Sequence, residues 1–273
     1  MFNVKYRSLM LILMAIWSIE IIPGCATLPN GRGWGQDATF SPGWSRVGKA
    51  ALDAALDPRT WVPVAGALIF QIGHLDRQLS NWSSNHTPIF GSRKNADTAS
   101  EVLQGVSEGA YVITALTTPS GEKSADWAEA KLKGLGVGIV AIGLTEGVTT
   151  GLKYATHRKR PDHPNYASFP SGHASRTAVC DTLAGRNVDF LSIPDQARIG
   201  LQVGFAALTA TTAWSRLEAK KHYPSDVLAG IALGHFLGAF INDAFLGAED
   251  PKKIFLTLDP SAKEVAVGVY WGF

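Results

Sequence analysis

Three clusters of polar residues lie between Lys153 and Asp226, and apolar segments with helical periodicity separate them. The clusters carry cationic side chains, imidazoles and a carboxylate, whereas the segments between them carry few groups that could take part in chemistry. We therefore expect the helices to bring these three clusters together in the folded chain.

The first cluster contains Lys153 and Arg160, followed by Pro161. In a continuous helix, residues seven apart are about two turns apart and point the same way. The spacing predicts that the two cations bind one anion together.

The second cluster, from Pro170 to His173, places Ser171 and Gly172 directly before an apolar run predicted to be helical, residues 174–183. The start of a helix offers free backbone N–H groups and the positive end of the helix dipole. Both features suit a phosphate group.

The third cluster begins at Ser215 and Arg216 and ends at His222 and Asp226, with Pro224 suited to the first turn of a following helix. A carboxylate four residues after an imidazole can orient the ring. Taken singly, such clusters are usually solvated helix ends or turns. Together they supply three cations, two imidazoles and one carboxylate. These are groups suited to binding and transferring a phosphoryl group.

The three clusters read K-x6-R-P, P-S-G-H and S-R-x5-H-x3-D. This pattern resembles the signature of the type 2 phosphatidic acid phosphatase and vanadium-dependent haloperoxidase superfamily, and every fixed position is matched. The resemblance covers about residues 61–246. It implies an all-α fold, a helical bundle of the kind found in that superfamily.

The resemblance also implies a role for each matched residue. His222 is the nucleophile and forms a phosphohistidine, Asp226 holds its ring in the correct tautomer, and His173 is the acid that protonates the leaving oxygen. The phosphate is held by Lys153, Arg160, Ser171, Gly172 and Arg216. No metal and no cofactor are expected in this mechanism, and vanadate is expected only as an inhibitor.

Alternative functions remain open at this point. A haloperoxidase would hold vanadate as its cofactor in the same cradle, and a non-specific periplasmic acid phosphatase would act on soluble phosphomonoesters. A non-enzymatic scaffold is disfavoured because His173, His222 and Asp226 are all present. The expected substrate is a phosphorylated lipid or a small phosphomonoester. The sequence indicates neither which compound it is nor the oligomeric state.

The length of 273 residues predicts one domain. We place it at residues 46–246, as the helical phosphatase domain that the resemblance implies, and expect a C-terminal tail with a β-hairpin at residues 247–273. A net charge of +2 is too small to indicate a nucleic-acid partner. Helices are predicted at residues 46–56, 61–74, 101–116, 125–153, 174–185, 197–215 and 225–245. The segment at residues 76–82 is predicted to be a loop without a catalytic role.

Residues 1–24 resemble a bacterial lipoprotein signal peptide, because a basic start and a short apolar run precede Cys25. We expect lipid on Cys25 and a tether at residues 25–45, which would attach the protein to the membrane. The expected location is the periplasmic side of the cell envelope, as an outer-membrane lipoprotein. The alternative is an integral protein of the inner membrane.

Overall fold

The computed structural model describes residues 27–28, 31–121, 123–162, 166–247, 252–259 and 264–271. The predicted signal peptide and Cys25 lie outside these residues. Eight α-helices make up most of the described chain, and a short π-helix follows them. The helices are α1 (Trp44–Leu56), α2 (Pro58–Ile69), α3 (Leu75–His86), α4 (Arg93–Thr117), α5 (Ser124–Thr156), α6 (Gly172–Val188), α7 (Asp195–Glu218), α8 (Pro224–Ile241) and the π-helix Asn242–Leu246. The all-α prediction is confirmed for the helical domain.

Helix α6 forms the centre of the fold and packs against α4, α5, α7 and α8. Its buried residues are spread around the whole helix, which is typical of a helix enclosed by others. Val179, Cys180 and Leu183 of α6 belong to one hydrophobic core that also includes Tyr111 of α4 and Phe205 of α7. This core holds the middle and the C-terminal half of α6, and the second polar cluster lies at the opposite, N-terminal end of the helix.

Helix α8 approaches α6 closely because three glycines, four residues apart, face it. A Cβ atom at Gly230 would lie 2.6 Å from the Ser171 carbonyl oxygen, and one at Gly234 would overlap the Ser175 carbonyl oxygen. Gly238 also faces α6. The close approach places the first turn of α8 beside the start of α6, where the Ser171 amide donates a hydrogen bond of 2.9 Å to the Asp226 carbonyl oxygen.

The predicted tether is wrong for the segment around Trp34. The Trp34 side chain is only 2% exposed, and its ring lies against Gly134 of α5. The Lys131 ammonium lies 5.0 Å from the centre of the same ring. Burial of a large aromatic side chain favours a position of this segment against the helices. This part of the segment is therefore packed on the helical domain.

The predicted loop at residues 76–82 is also wrong, because it lies within helix α3. The residues of α3 that face the protein are small or polar: Asp76, Ser80, Ser83 and Ser84. Their spacing is helical, but they give no hydrophobic periodicity that would predict a helix. The helix predicted at residues 61–74 begins earlier, at Pro58, where the Asp57 side chain caps it, and it ends at Ile69.

Two strands follow the helical domain, Lys252–Asp259 and Glu264–Trp271. They pair antiparallel, with Lys252 opposite Trp271 and Asp259 opposite Glu264. This pairing corresponds to the C-terminal hairpin expected from the sequence.

Two helical stretches in the described residues are long and apolar enough to cross a membrane, judged by length and composition alone: Ala125–Thr156 and Pro224–Leu246. In the first, 28% of the most apolar window is buried, against 61% in the second. The second stretch is therefore largely a core helix of this domain.

Candidate active site

The start of helix α6 forms one side of the site. Ser171 caps the helix, because its hydroxyl oxygen accepts a hydrogen bond of 3.5 Å from the Ala174 amide. A Cβ atom at Gly172 would lie 3.8 Å from the Lys153 ammonium nitrogen. The first turn of α6 therefore faces a cation that reaches it from the end of α5.

Lys153 and Arg160 converge, although not for the reason that the sequence suggested. Helix α5 ends at Thr156, and His157 adopts a left-handed conformation with a φ of 43°. Arg160 therefore lies in the loop beyond the helix. The Lys153 ammonium and the Arg160 guanidinium both donate to the Ala167 carbonyl oxygen, at 3.3 Å and 3.4 Å. The loop, rather than a helical repeat, brings the two cations together.

The His222 ring is almost completely enclosed, with 2% of its side chain exposed. Its Nδ1 atom donates a hydrogen bond of 2.7 Å to the Ser168 carbonyl oxygen. Because a carbonyl oxygen only accepts, Nδ1 carries the proton and Nε2 of the neutral ring keeps its lone pair. Burial lowers the pKa of His222 to about 4, although the Asp226 carboxylate favours the charged ring.

The nearest oxygen of Asp226 lies 3.7 Å from His222 Nδ1, too far for a hydrogen bond. The expected direct orientation of the ring by Asp226 is therefore replaced by a contact through Ser168. The Ser168 hydroxyl donates to the Asp226 carboxylate at 2.6 Å, and the Tyr223 amide donates to it at 2.8 Å. Asp226 thus fixes the residue that fixes the His222 ring.

Arg158 completes this arrangement and was not assigned a role from the sequence. Its guanidinium donates to the carboxylates of Asp226 at 2.7 Å and Asp76 at 2.5 Å, and to the Ser225 hydroxyl at 2.7 Å. Asp76 in turn accepts a hydrogen bond of 2.8 Å from the Ser225 amide. The sequence did offer a signal for both residues. Arg158 lies within the first cluster, and Asp76 lies within the segment that was predicted to be a loop.

Arg216 and His173 both pair with carboxylates of helix α4. The Arg216 guanidinium donates to Asp97 at 2.7 Å and to the Ser100 hydroxyl at 2.5 Å. His173 Nε2 lies 3.0 Å from a carboxylate oxygen of Glu101. Burial and the nearby Arg216 charge lower the pKa of His173, whereas Glu101 raises it. Nothing in the sequence marks Asp97 and Glu101, since two acids one helical turn apart usually face solvent.

The sequence-predicted residues therefore surround one site. The His222 amide donates a hydrogen bond of 3.4 Å to the Arg216 carbonyl oxygen, and the Arg216 and Lys153 charges add to the effect of burial in lowering the pKa of His222. Within the described residues, no group of three or more His, Cys, Asp or Glu side chains is arranged to hold a metal ion. The fold and the site define a helical protein in which cationic side chains and two imidazoles lie around the start of α6.

Comparison with known proteins agrees with that description. A family model described as the PAP2 superfamily matches residues 135–247, which include all three clusters. The resemblance recognised from the motifs is confirmed for this part of the chain by the match to the family model.

Two curated relatives share this region. The decaprenylphosphoryl-5-phosphoribose phosphatase of Mycobacterium tuberculosis is 34% identical over 111 residues, which cover 37% of this chain and 56% of the relative. The lipid A 1-phosphatase of Porphyromonas gingivalis is 32% identical over 99 residues, covering 36% of this chain and 21% of the relative. The chain thus matches about half of the first relative and a smaller part of the second.

A solved structure also resembles this chain. It is described as the first transmembrane PAP2 type phosphatidylglycerolphosphate phosphatase, from Bacillus subtilis. The similarity covers 67% of this chain and 92% of that chain, with 19% sequence identity and a TM-score of 0.48.

Proposed function

We propose that this protein is a metal-independent phosphatase that hydrolyses phosphate esters, or pyrophosphates, of cell-envelope lipids through a phosphohistidine intermediate. The observation that carries the proposal is the state of His222. Its Nδ1–H is held by the Ser168 carbonyl, so Nε2 is unprotonated, and burial together with the Lys153 and Arg216 charges lowers the pKa of the ring. A buried, oriented and neutral imidazole among cations suits nucleophilic attack on a phosphoryl group.

Substrate binding begins in the cradle. The phosphate oxygens are bound by Lys153, Arg160 and the amide groups at the start of α6, which include that of Gly172. Arg216 gives up its contact with the Asp97 carboxylate and takes a phosphate oxygen instead. The same charges stabilise the equatorial oxygens as the transition state forms.

The chemistry then proceeds in two steps. His222 Nε2 attacks phosphorus, the bond to the leaving oxygen breaks, and His173 transfers its proton to that oxygen. In the second step, His173 accepts a proton from water, the water oxygen bonds to phosphorus, and the bond from phosphorus to His222 breaks. Inorganic phosphate leaves, and both imidazoles return to their initial states.

The lipid class of the substrate is supported by the names of the relatives. Both act on phosphorylated lipids according to those names, a decaprenyl compound in one case and lipid A in the other. The leader resembling that of a lipoprotein supports a location in the envelope, facing the periplasm, with the outer membrane favoured over the inner one. Soluble phosphomonoesters are the second candidate class of substrate.

Release of inorganic phosphate from a panel of compounds tests this function. The panel contains phosphatidic acid, phosphatidylglycerol phosphate, an isoprenyl pyrophosphate, lipid A phosphate and p-nitrophenyl phosphate, each with the full chain in detergent. We expect turnover of at least one lipid in the presence of a metal chelator, and inhibition by vanadate. Absence of release from every compound, or peroxidase activity that depends on vanadate, would refute the proposal.

A further inference from the structure

A buried carboxyl group lies between helices α4, α6 and α7, outside the site described above. Asp181 of α6 is 6% exposed, and its Oδ2 atom accepts a hydrogen bond of 2.6 Å from the Thr209 hydroxyl of α7. Burial raises the pKa of Asp181 to about 7, and the hydroxyl groups of Thr209 and of Ser107 in α4 act in the opposite direction. Polar side chains of three helices therefore meet at Asp181.

Several oxygen atoms around Asp181 have no hydrogen-bond partner in the part of the chain that the structure describes. They are Asp181 Oδ1 and the hydroxyl oxygens of Ser107, Thr177 and Thr212. The three residues that carry these hydroxyl groups are 0% exposed. Buried polar groups in proteins almost always have a partner, so these oxygens indicate a bound species that is not a protein atom.

The packing of α6 on α7 places the unpaired oxygens in one column. At the candidate active site, His173 of α6 and Arg216 of α7 contact neighbouring turns of α4. About 12 Å further along α6, Asp181 meets Thr209, which precedes Arg216 on α7. The two helices are therefore antiparallel. The two unpaired threonines lie between these levels, and their hydroxyl groups extend the polar column from Asp181 toward the site.

Asp181 has no cationic partner among the hydrogen bonds and ion pairs of the described residues. Arg176 precedes it on α6, but its guanidinium pairs with the carboxylates of Glu108 and Glu146 instead. A carboxylate that is buried without a counter-charge is strongly disfavoured. Asp181 must therefore hold either a proton or a cation that is not a side chain.

The oxygen atoms at Asp181 suit a small inorganic cation. Carboxylate and hydroxyl oxygens are hard ligands, which hard cations prefer over nitrogen or sulfur. One carboxylate balances one positive charge, whereas a divalent ion would leave an uncompensated charge in the protein interior. The surroundings therefore favour Na⁺ over Ca²⁺ or Mg²⁺.

We propose that the Asp181 carboxylate binds one Na⁺ ion between helices α4, α6 and α7. The other ligands are hydroxyl oxygens, one from each helix: Ser107, Thr177 and Thr209. The ion neutralises the buried carboxylate and gives the unpaired oxygens a partner. It also links the three helices that carry Glu101, His173 and Arg216. The inference does not depend on the proposed function, because none of its ligands is assigned to phosphate.

Binding of radioactive Na⁺ to the purified full chain in a non-ionic detergent tests the site directly. We expect one saturable site per chain, and we expect Asp181→Asn to abolish it. Asp195→Asn is the matched control, because the Asp195 side chain is 81% exposed at the start of α7. This variant should bind Na⁺ as the original chain does.

Thermal unfolding provides a second measurement. Tm should be higher in NaCl than in choline chloride of the same ionic strength, because an ion that binds only the folded chain stabilises it. At a Na⁺ concentration tenfold above the dissociation constant, the increase should be roughly 3–6 °C. Asp181→Asn should unfold at the same temperature in both salts, whereas Asp195→Asn should keep the difference.

Ser107→Ala removes one oxygen ligand and leaves the carboxylate in place. It should weaken Na⁺ binding roughly fivefold, and it decides the question if Asp181→Asn does not fold. Unchanged affinity in this variant would then overturn the site.

The proposal is also overturned if the original chain shows no saturable Na⁺ binding, or if Na⁺ stabilises Asp181→Asn and Asp195→Asn equally. Stabilisation of the original chain by lower pH in choline chloride, without any response to Na⁺, would show that a proton neutralises Asp181 instead. Hydrolysis plays no part in these measurements, so their outcome is separate from that of the proposed function.

Discussion

His222 and His173 lie in different electrostatic surroundings, and the difference suits two different roles. Burial lowers the pKa of His222 to about 4, so its ring is neutral and able to attack above that pH. The pKa of His173 is also lowered by burial and by Arg216, but Glu101 opposes this effect. Two groups that must be in opposite protonation states produce a bell-shaped dependence on pH.

We therefore predict that kcat/KM rises as pH increases through about 4, where His222 loses its proton. At higher pH, kcat/KM should fall as His173 loses the proton that it must donate. The midpoint of this fall should lie below the ordinary histidine pKa of about 6.5. In Glu101→Gln, the loss of a nearby negative charge should move the falling limb to lower pH. A rate that rises steadily from pH 4 to 9 would contradict both assignments.

The nucleophile and the acid can be separated by the choice of leaving group. His222→Ala should abolish turnover of every substrate, because no covalent intermediate forms. His173→Ala should slow alkyl phosphates by roughly 10²- to 10⁴-fold but retain the first step with an aryl phosphate, whose leaving oxygen needs little protonation. Rapid quenching of that variant should trap phosphate on His222. Phosphate trapped on His173 in His222→Ala would mean that His173 is the nucleophile and His222 the acid.

Arg158 donates hydrogen bonds to Asp226, Ser225 and Asp76. It is therefore assigned to the support of His222 and not to the residues that bind phosphate. We predict that Arg158→Gln lowers kcat by roughly 10- to 100-fold, because the support of His222 is loosened. Inhibition by vanadate should change little. Arg160→Gln provides the contrast, since loss of a cradle cation should weaken vanadate inhibition. Equal weakening in the two variants would place Arg158 in the cradle instead.

The residues that sequence reasoning found share one property, which is that they lie in short contiguous clusters. The supporting residues do not. Asp97 and Glu101 lie on a helix far upstream, and a pair of acids on a helix surface has the same spacing whether it meets a cation or water. Their partners, Arg216 and His173, become neighbours only after the helices have packed.

Among the helices, the packing of α8 on α6 determines the geometry of the site. Asp226 lies in the first turn of α8, and Ser171 caps the start of α6. A methyl group at Gly234 would overlap the backbone of Ser175 in α6. We predict that Gly234→Ala lowers the free energy of unfolding by about 1–3 kcal/mol, because a crowded helix contact must widen. Thermal or denaturant unfolding in detergent measures this change, and activity should fall with it.

Gly143→Ala is the control for that measurement. Gly143 is also a helical glycine, but a Cβ atom there has no neighbour within 4 Å. Alanine favours a helix over glycine by about 1 kcal/mol, so this variant should be at least as stable as the original protein. Equal destabilisation by both substitutions would mean that the close helix contact is not what Gly234 provides.

Long apolar helices were the elements that the sequence predicted best. Helices α5, α6, α7 and α8 were all expected, because apolar periodicity that continues over many residues is typical of a helix and of few alternative structures. Helix α3 was missed since it buries serines and an aspartate in place of apolar side chains. Trp34 was missed for a similar reason, as a single aromatic residue in an irregular segment gives no period.

For the whole molecule, the distribution of exposed apolar residues predicts contact with a membrane. Leu132 and Ile139 of α5 are 74% and 66% exposed, and Leu68 of α2 is 66% exposed. Extended apolar surface of this kind is uncommon on soluble monomers. The helical domain should therefore bind membranes by itself, in addition to any lipid on Cys25.

We predict that the protein remains with the membrane fraction when residues 1–25 are replaced by a secretory signal that is cleaved completely. Detergent should release it, and high salt should not, because apolar contacts are not weakened by screening. Fractionation of cells followed by immunoblotting measures the outcome. Recovery of this variant in the soluble periplasmic fraction would leave the lipid as its main attachment.

The burial of Trp34 limits how far the helical domain could lie from a lipid on Cys25. With lipid on Cys25, the chain has only nine residues in which to reach the point where the domain holds it. Even fully extended, that length spans roughly 30 Å. We then expect the helical domain to stay within roughly 30 Å of the leaflet that holds the lipid. Under the proposed function, its substrates would be lipids that diffuse in that leaflet.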